Sequence, residues 1–200
     1  MTAKPASSFG RARPHKAPAP AKSAPVIRIA GIQMASGPNV SANLNEAGRL
    51  IAQAAAGGAR LVALPEYFAI MGLQETDKVK VREAEGKGPI QKFLADAARE
   101  HKIWIIGGSV PLASDDPKRV RNSCLVYDDK GRQVARYDKM HLFGFTMGRE
   151  SYAESRTIEA GHKVVTVDAP FGRIGLSICY DVRFPELYRA MKQVDFPSCL

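Results

Sequence analysis

The chain has 200 residues, 45% of them hydrophobic, which is the size and composition of one globular domain. No apolar run approaches the roughly 18–20 residues that a membrane-spanning helix needs. Of the formal net charge of +9, +5 lies in residues 1–25, so the rest of the chain is too weakly basic to indicate a nucleic-acid surface. The sequence therefore predicts neither a membrane partner nor a nucleic-acid partner.

Residues 1–25 form a basic, Ala- and Pro-rich segment that precedes a single domain at 26–200. The segment contains one aromatic residue, Phe9, and cannot bury enough apolar surface to order itself. Its Arg and Ser content resembles a transit peptide, but its prolines break an amphipathic helix, and it lacks the apolar core of a secretory signal. We therefore favour a disordered tail.

The three cysteines, Cys124, Cys179 and Cys199, have neither the spacing of metal ligands nor the even number of a disulfide framework. This usage predicts a cytoplasmic protein without a metal or other cofactor. Cys124 lies in a strand-like run and is expected in the core.

In chain order, strands and helices alternate in the first half, and hairpins follow. Hydrophobic periodicity predicts strands at 26–33, 61–64, 103–108, 122–127, 133–137, 163–167 and 173–178. It predicts helices at 40–54 and 93–98, and another that begins at Pro185. Ser41 is a candidate N-cap of the first helix, and Gly57 and Gly58 end it. Residues 71–88 are expected to form loop and short helix. This order predicts an α/β fold, a mixed sheet with helices packed outside.

Residues 172–189 predict a strand, a sharp turn and a helix, with Cys179 at the junction. Such a turn projects the side chain away from the sheet edge, and a helix N-terminus favours the thiolate and so lowers the pKa of a thiol. Cys179 is therefore a candidate nucleophile. A buried structural cysteine is an equally good interpretation of this stretch alone.

Two further stretches favour the nucleophile. Residues 61–68 form an apolar strand that ends at Leu-Pro-Glu, with Glu66 as the carboxylate, and residues 136–143 end a strand at Tyr-Asp-Lys-Met-His-Leu, with Lys139 as the cation. Together with Cys-Tyr-Asp at Cys179, these motifs resemble the nitrilase superfamily of carbon–nitrogen hydrolases in kind, order and spacing. The resemblance runs from about Val26 to Arg189. It implies an α-β-β-α sandwich, in which two sheets lie face to face with helices on both outer sides.

The resemblance also implies a catalytic mechanism. Cys179 would attack an amide, Glu66 would act as general base, and Lys139 with the backbone N–H of Tyr180 would stabilise the oxyanion. Many members have a second glutamate that orients the lysine. Glu154 fits its place, seven residues before Gly161, and Glu150 is the alternative.

Two more residues near these motifs are candidates. His141 is a candidate neighbour of the site rather than the base, since the family uses Glu. Arg183, four residues after Cys179, would lie on the first turn of the helix and bind a substrate carboxylate. A salt bridge with Asp181 or Glu186 is an equally good interpretation.

The run from Cys179 to Arg189 looks most like the deaminated glutathione amidase and omega-amidase branch. The implied function is therefore hydrolysis of small, carboxylate-bearing amides, in a family whose members are usually homo-oligomers. An N-carbamoyl amino acid amidohydrolase is the next alternative.

After Arg189 the match to the family stops, whereas members continue with another strand. The expectation is a C-terminally truncated member. A catalytically impaired remnant, or an interaction partner of a full-length relative, therefore stands as the other class of function.

Overall fold

The computed structural model describes residues 26–148 and 150–193. The helices within these residues are α1 (Val40–Ala56), α2 (Asp77–Lys80), α3 (Pro89–His101) and α4 (Pro185–Gln193). The strands are β1 (Arg28–Gly31), β2 (Ala59–Ala63), β3 (Trp104–Ile106), β4 (Val110–Ala113), β5 (Val120–Tyr127), β6 (Gln133–Asp138), β7 (Gly144–Met147), β8 (Glu150–Ala153), β9 (Thr166–Ala169) and β10 (Gly172–Gly175). Two 3₁₀ helices span Glu154–Arg156 and Cys179–Arg183. The predicted tail and Cys199 lie outside the described residues.

Strands β1 to β6 form one mixed sheet, as predicted. β1, β2 and β3 are parallel neighbours, and β5 runs antiparallel to β3, β4 and β6. Val126 pairs with both β3 and β6, and Ser123 pairs with both β4 and β6, so β3 and β4 share one edge of β5. Two separate antiparallel hairpins, β7–β8 and β9–β10, complete the described sheets.

Both faces of the main sheet are buried, and alternate residues of a strand point to opposite faces. On one face Val62, Ile105 and Leu125 pack against α1 and α3. On the other, Leu61, Trp104 and Val126 pack against Val167 of β9, Ile174 of β10, Leu187 of α4, and Leu176 and Ile178 of the segment that follows β10. This two-sided burial explains the wholly apolar run of β2.

Cys124 lies on the second face, 2% exposed, and burial raises the pKa of its thiol to about 12. The prediction of a core cysteine is therefore confirmed.

The N-terminus of α1 differs from the sequence expectation, and the cap of α3 was not predicted. Asn39, not Ser41, caps α1, because its Oδ1 accepts a hydrogen bond from Ala42 N at 3.0 Å. At α3 the buried Glu83 supplies the cap from outside the helix. Its carboxylate accepts Ile90 N at 2.6 Å and Gln91 N at 3.1 Å. Glu83 thus satisfies N–H groups that a helix start leaves without partners.

Some strands were missed or misplaced. β4 and the β7–β8 hairpin were not predicted, since β4 is only four residues long and β7 is exposed throughout, so neither shows a clear apolar alternation. The predicted strand at 163–167 lies at β9, and β10 ends at Gly175 rather than at 178. Beyond β10, Leu176 and Ile178 are buried and Ser177 is exposed, so the predicted alternation holds there.

Candidate active site

Lys139 lies at the centre of the candidate site, directly after β6. Its side chain is fully buried, and its Nζ lies 2.9 Å from Glu66 Oε1 and 2.9 Å from Glu154 Oε1. Burial by itself lowers the pKa of Lys139, but the hydrogen bond to Glu154 and the charge of Glu66 outweigh that effect, so the pKa is raised. Lys139 is therefore a buried cation held between two carboxylates.

Glu66 is positioned by the turn that follows β2. Gly108 allows the close approach of this turn, because it adopts a φ of +51° and a Cβ atom there would overlap the carbonyl oxygen of Pro65. Tyr67, the residue after Glu66, has a φ of +58° and donates its N–H to Ser109 Oγ at 2.9 Å. The buried Asn122 of β5 donates to Glu66 Oε1 at 2.8 Å. Asn122 thus fixes the carboxylate and was not predicted from the sequence.

Glu154 begins a 3₁₀ helix and is buried. Besides Lys139, it accepts hydrogen bonds from the Tyr67 hydroxyl at 3.2 Å and from Phe143 N at 2.7 Å. Glu150, the alternative second glutamate, is exposed on β8. Of the two alternatives that the sequence left open, Glu154 is the one that contacts the lysine.

Cys179 is the first residue of a 3₁₀ helix that precedes α4, and it has a φ of +48°. A positive φ is unfavourable for a residue with a Cβ, and such strain is typical of functional sites. The residue is exposed, unlike the buried Cys124. The sharp turn predicted at Cys179 is therefore present, with a 3₁₀ helix between the turn and α4.

The expected lowering of the Cys179 pKa is wrong. Partial burial raises the pKa of this thiol, and the charge and a side-chain hydrogen bond of Glu66 raise it further, while the charge of Lys139 offsets this only in part. The 3₁₀ helix has five residues, too few to sum a large dipole at its N-terminus. Cys179 is thus a thiol beside a carboxylate.

Asp181 connects the Cys179 turn to the end of β6, a role that was not predicted from the sequence. It is fully buried and accepts four hydrogen bonds. Oδ2 accepts the Tyr137 hydroxyl at 2.6 Å and Ile178 N at 2.9 Å. Oδ1 accepts His141 N at 3.0 Å and lies 2.7 Å from His141 Nδ1. The same carboxylate therefore fixes the residues before Cys179 and those on both sides of Lys139.

His141 was predicted to lie next to the site without acting as the base, and its ring contacts Asp181 and Phe184. Its ring bonds to Asp181 and stacks on Phe184, with 3.7 Å between ring centroids and 9° between planes. Phe184 in turn meets Tyr180 edge-on, with 5.5 Å between centroids. The imidazole is thus engaged on one face and at one ring nitrogen.

Tyr180 and Arg183 lie on the 3₁₀ helix of Cys179. The first hydrogen bond within this helix runs from Asp181 N to Ile178 O at 3.1 Å. Tyr180 comes before Asp181 in the chain, so its N–H lies ahead of the first hydrogen bond of the helix. Arg183 is exposed at the last residue of this helix, not on the first turn of α4 as predicted. Among the described residues neither predicted salt bridge of Arg183 forms, because Asp181 has the partners given above and Glu186 pairs with Arg189.

Residues 26–148 and 150–193 contain no group of three His, Cys, Asp or Glu side chains placed to hold a metal ion. No helix in this part of the chain has the length and apolarity to cross a membrane.

The two-sided mixed sheet, the Glu66–Lys139–Glu154 cluster and the strained turn at Cys179 define an α/β protein of the nitrilase type. The chain belongs to the carbon-nitrogen hydrolase family, whose model matches residues 28–196.

Similar proteins include amidases of the same family. The chain is 40% identical over 168 residues to the deaminated glutathione amidase of a Synechocystis strain, covering 82% of this chain and 61% of that protein. It is 35% identical over 173 residues to human omega-amidase NIT2, covering 84% of this chain and 59% of that protein. The crystal structure of C. elegans NitFhit matches with a TM-score of 0.75 at 34% identity, covering 82% of this chain and 40% of that one. The predicted fold class is thereby confirmed.

The chain spans about three fifths of the length of these two amidases (61% and 59%). The activities for which these relatives are named are therefore a basis for a proposal about this chain rather than a description of it.

Proposed function

We propose that this chain is an amidase that hydrolyses amide bonds outside peptides through Cys179, Glu66 and Lys139, by way of a thioester acyl-enzyme. The main observation in support is the buried Lys139, held at 2.9 Å from both Glu66 and Glu154, with Glu66 also acting on the thiol of Cys179. A structural ion pair would need one carboxylate, whereas this lysine has two, and one of them is shared with an exposed cysteine.

The raised pKa of Cys179 explains why the reaction needs a base. The sulfur attacks the amide carbonyl carbon while its proton moves to the Glu66 carboxylate. Collapse of the tetrahedral intermediate breaks the C–N bond, and Glu66 returns the proton to the departing nitrogen as ammonia or an amine. The acyl group is left on Cys179 as a thioester.

In the hydrolysis of the thioester, water is the nucleophile and the sulfur of Cys179 is the leaving group. Water attacks the thioester carbon and gives a proton to Glu66, and the C–S bond breaks as the proton returns to sulfur. The products are a carboxylic acid and the original thiol. No external oxidant or reductant is needed, because no atom changes oxidation state.

Lys139 and the N–H of Tyr180 would stabilise the negative charge on the carbonyl oxygen in both steps. Removing one such donor typically raises a barrier by about 2.7–4 kcal/mol. Glu154 would orient Lys139, and Asn122 would orient Glu66, through the contacts at 2.9 Å and 2.8 Å. The charges are then fixed before substrate arrives, which is the condition for electrostatic catalysis.

For the substrate we propose small amides that have a free carboxylate, such as deaminated glutathione. The names of the Synechocystis and human relatives, deaminated glutathione amidase and omega-amidase, support this class. Arg183 is a candidate for the carboxylate, since it lies four residues from Cys179 and is exposed. A cytoplasmic setting suits the reaction, because a reducing compartment keeps Cys179 as a free thiol.

The test is release of ammonia from short carboxylate-bearing amides by the purified chain. Cys179→Ala should abolish release, and Glu154→Gln should reduce it strongly. Glu150→Gln is the matched control, since Glu150 is exposed on the adjacent strand, and it should retain activity. Full activity in Cys179→Ala would refute the mechanism. A folded chain that releases no ammonia would favour the alternative of an inactive interaction partner.

A further inference from the structure

The two predicted oxyanion donors belong to segments that are far apart in the chain. Lys139 follows β6, whereas Tyr180 lies on the 3₁₀ helix that begins at Cys179. Both donors must reach the same oxygen atom to stabilise its charge, and a displacement of about 1 Å can cost about 100-fold in rate. The relative position of the two segments is therefore part of the chemistry, and Phe143 connects them.

The backbone of Phe143 fixes the carboxylate that orients Lys139. Its N–H donates to Glu154 Oε2 at 2.7 Å, and its carbonyl oxygen accepts the N–H of Glu154 at 2.9 Å. Glu154 Oε1 in turn lies 2.9 Å from Lys139 Nζ. Because only backbone atoms of Phe143 take part, these two bonds do not require a particular side chain at this position.

The ring of Phe143 contacts the segment of the other donor. It meets the ring of Tyr180 edge-on, with 5.2 Å between centroids and 74° between planes. Phe184 meets the same Tyr180 ring edge-on at 5.5 Å, and Phe184 is itself stacked on His141. Edge-to-face pairs are favourable because the positive edge of one ring faces the negative face of the other. The two contacts hold the side chain of Tyr180, and with it one end of the peptide that carries its N–H.

The Cys179 turn needs such support. Cys179 has a φ of +48°, and a strained backbone conformation of this kind persists only where the surrounding structure holds it. Hydrogen bonds between Ile178 and Asp181 hold the two ends of the turn. The ring contacts of Tyr180 hold the residue that lies between Cys179 and Asp181, next to the nucleophile.

We infer that Phe143 is a positioning residue of the oxyanion site. Its backbone holds Glu154 and thereby Lys139, while its ring holds Tyr180, so that one residue sets the relative position of the two donors. The inference rests on the proposed function for the identity of the donors. It does not depend on the substrate, because every acyl transfer to Cys179 passes through an oxyanion.

The test compares two reactions of Cys179, only one of which forms an oxyanion. With p-nitrophenyl acetate the sulfur bonds to the carbonyl carbon through a tetrahedral oxyanion, and p-nitrophenolate leaves. Methyl methanethiosulfonate has no carbonyl group, and the sulfur takes its methylthio group while methanesulfinate leaves. In both reactions the thiol proton goes to Glu66. Both rates are measured on the full chain, and the rates of Cys179→Ala are subtracted to remove any reaction at Cys124 and Cys199.

The ratio of the acetylation rate to the methylthiolation rate reports on the oxyanion site and not on the thiol. Phe143→Leu removes the ring but keeps the backbone bonds to Glu154. It should lower the ratio about two- to tenfold, the range expected for the loss of one aromatic ring contact, and leave the methylthiolation rate unchanged. Adding Phe143→Leu to Tyr180→Leu should lower the ratio no further, because the ring contact is already absent.

Phe145→Leu is the matched control and should not change the ratio. Phe145 lies two residues further along the same hairpin, and its ring pairs with those of Phe143 and Tyr152. Thermal melting of each variant, checked first, shows which variants are folded, and Phe143→Met replaces Phe143→Leu if the latter does not fold. If neither folds, the ring has a structural role and the inference is overturned.

The inference is also overturned if Phe143→Leu leaves the ratio unchanged, if it slows both reactions equally, or if Phe145→Leu lowers the ratio as much. A failure of p-nitrophenyl acetate to acetylate Cys179 in the unsubstituted chain overturns it too, because no oxyanion is then stabilised. Failure of the proposed function is a separate result. Phe143 stands as a positioning residue if the ratio falls as expected while the unsubstituted chain hydrolyses no amide. The amidase stands without this inference if ammonia is released and the ratio is unchanged.

Discussion

Substituting Asp181 by Asn should destabilise the fold and impair the site at once. The change keeps the shape of the side chain but replaces one acceptor oxygen with a donor and removes the charge. In either orientation of the amide, its NH₂ faces a backbone donor, either Ile178 N or His141 N. At least one buried N–H therefore loses its partner.

The magnitude follows from the burial of Asp181 and its four contacts. A buried donor left without a partner costs about 1–3 kcal/mol, and hydrogen bonds to a charged group contribute about 1.5–3 kcal/mol each. Because Asp181 is fully buried, water cannot replace the lost partner. We expect the free energy of unfolding to fall by about 2–5 kcal/mol, out of the roughly 5–15 kcal/mol of a typical domain.

Denaturant unfolding followed by circular dichroism measures this loss, and ammonia release measures the effect on the site. Asp96→Asn is the control, since Asp96 makes its ion pairs on the exposed face of α3. We expect Asp181→Asn to lower both stability and turnover at a temperature where it is still folded, and Asp96→Asn to change neither appreciably. Equal stability of the two variants would refute the role of Asp181 in connecting the Cys179 turn to β6.

Three other predictions concern separate parts of the chain. Glu83→Gln should lower the free energy of unfolding by about 1–3 kcal/mol, because one N–H of α3 loses its acceptor, whereas Glu85→Gln, on an exposed side chain, should have little effect. The pH midpoint for alkylation of Cys179 should lie above that of a free cysteine and move down in Glu66→Gln, since a raised pKa keeps the thiol protonated to higher pH; an unchanged midpoint would contradict this. Deleting residues 1–25 should leave the thermal midpoint unchanged, and a drop of several degrees would show that they pack against the domain.

Sequence motifs were sufficient to nominate Glu66, Lys139 and Cys179, because each stands in a short motif that resembles the nitrilase superfamily. The residues that hold them in place were missed, because their contacts join distant parts of the chain. Asn122 lies 56 residues from Glu66, and Asp181 lies 44 residues from Tyr137. Neither residue interrupts or extends a periodic pattern, so only the folded structure identifies them.

The local errors have physical causes as well. Asn39 and Ser41 are both of residue types that favour the N-cap position. The sequence alone does not decide which of them adopts the extended backbone conformation that an N-cap needs, and in the structure it is Asn39. A helix dipole predicts a lowered pKa for Cys179, but the helix that begins there is short, and burial together with the charge of Glu66 raises the pKa instead. At Cys179 a contact with the distant Glu66 therefore outweighed the local rule.

The most direct test of the central claim, that an amide acylates Cys179, is mass spectrometry of the protein after rapid acid quenching during turnover. The account predicts a mass increase equal to the acyl group on the peptide that contains Cys179. It predicts no such increase on the Cys124 peptide, and none in Cys179→Ala. Hydrolysis of the amide without an adduct on Cys179, with turnover retained in Cys179→Ala, would contradict the account.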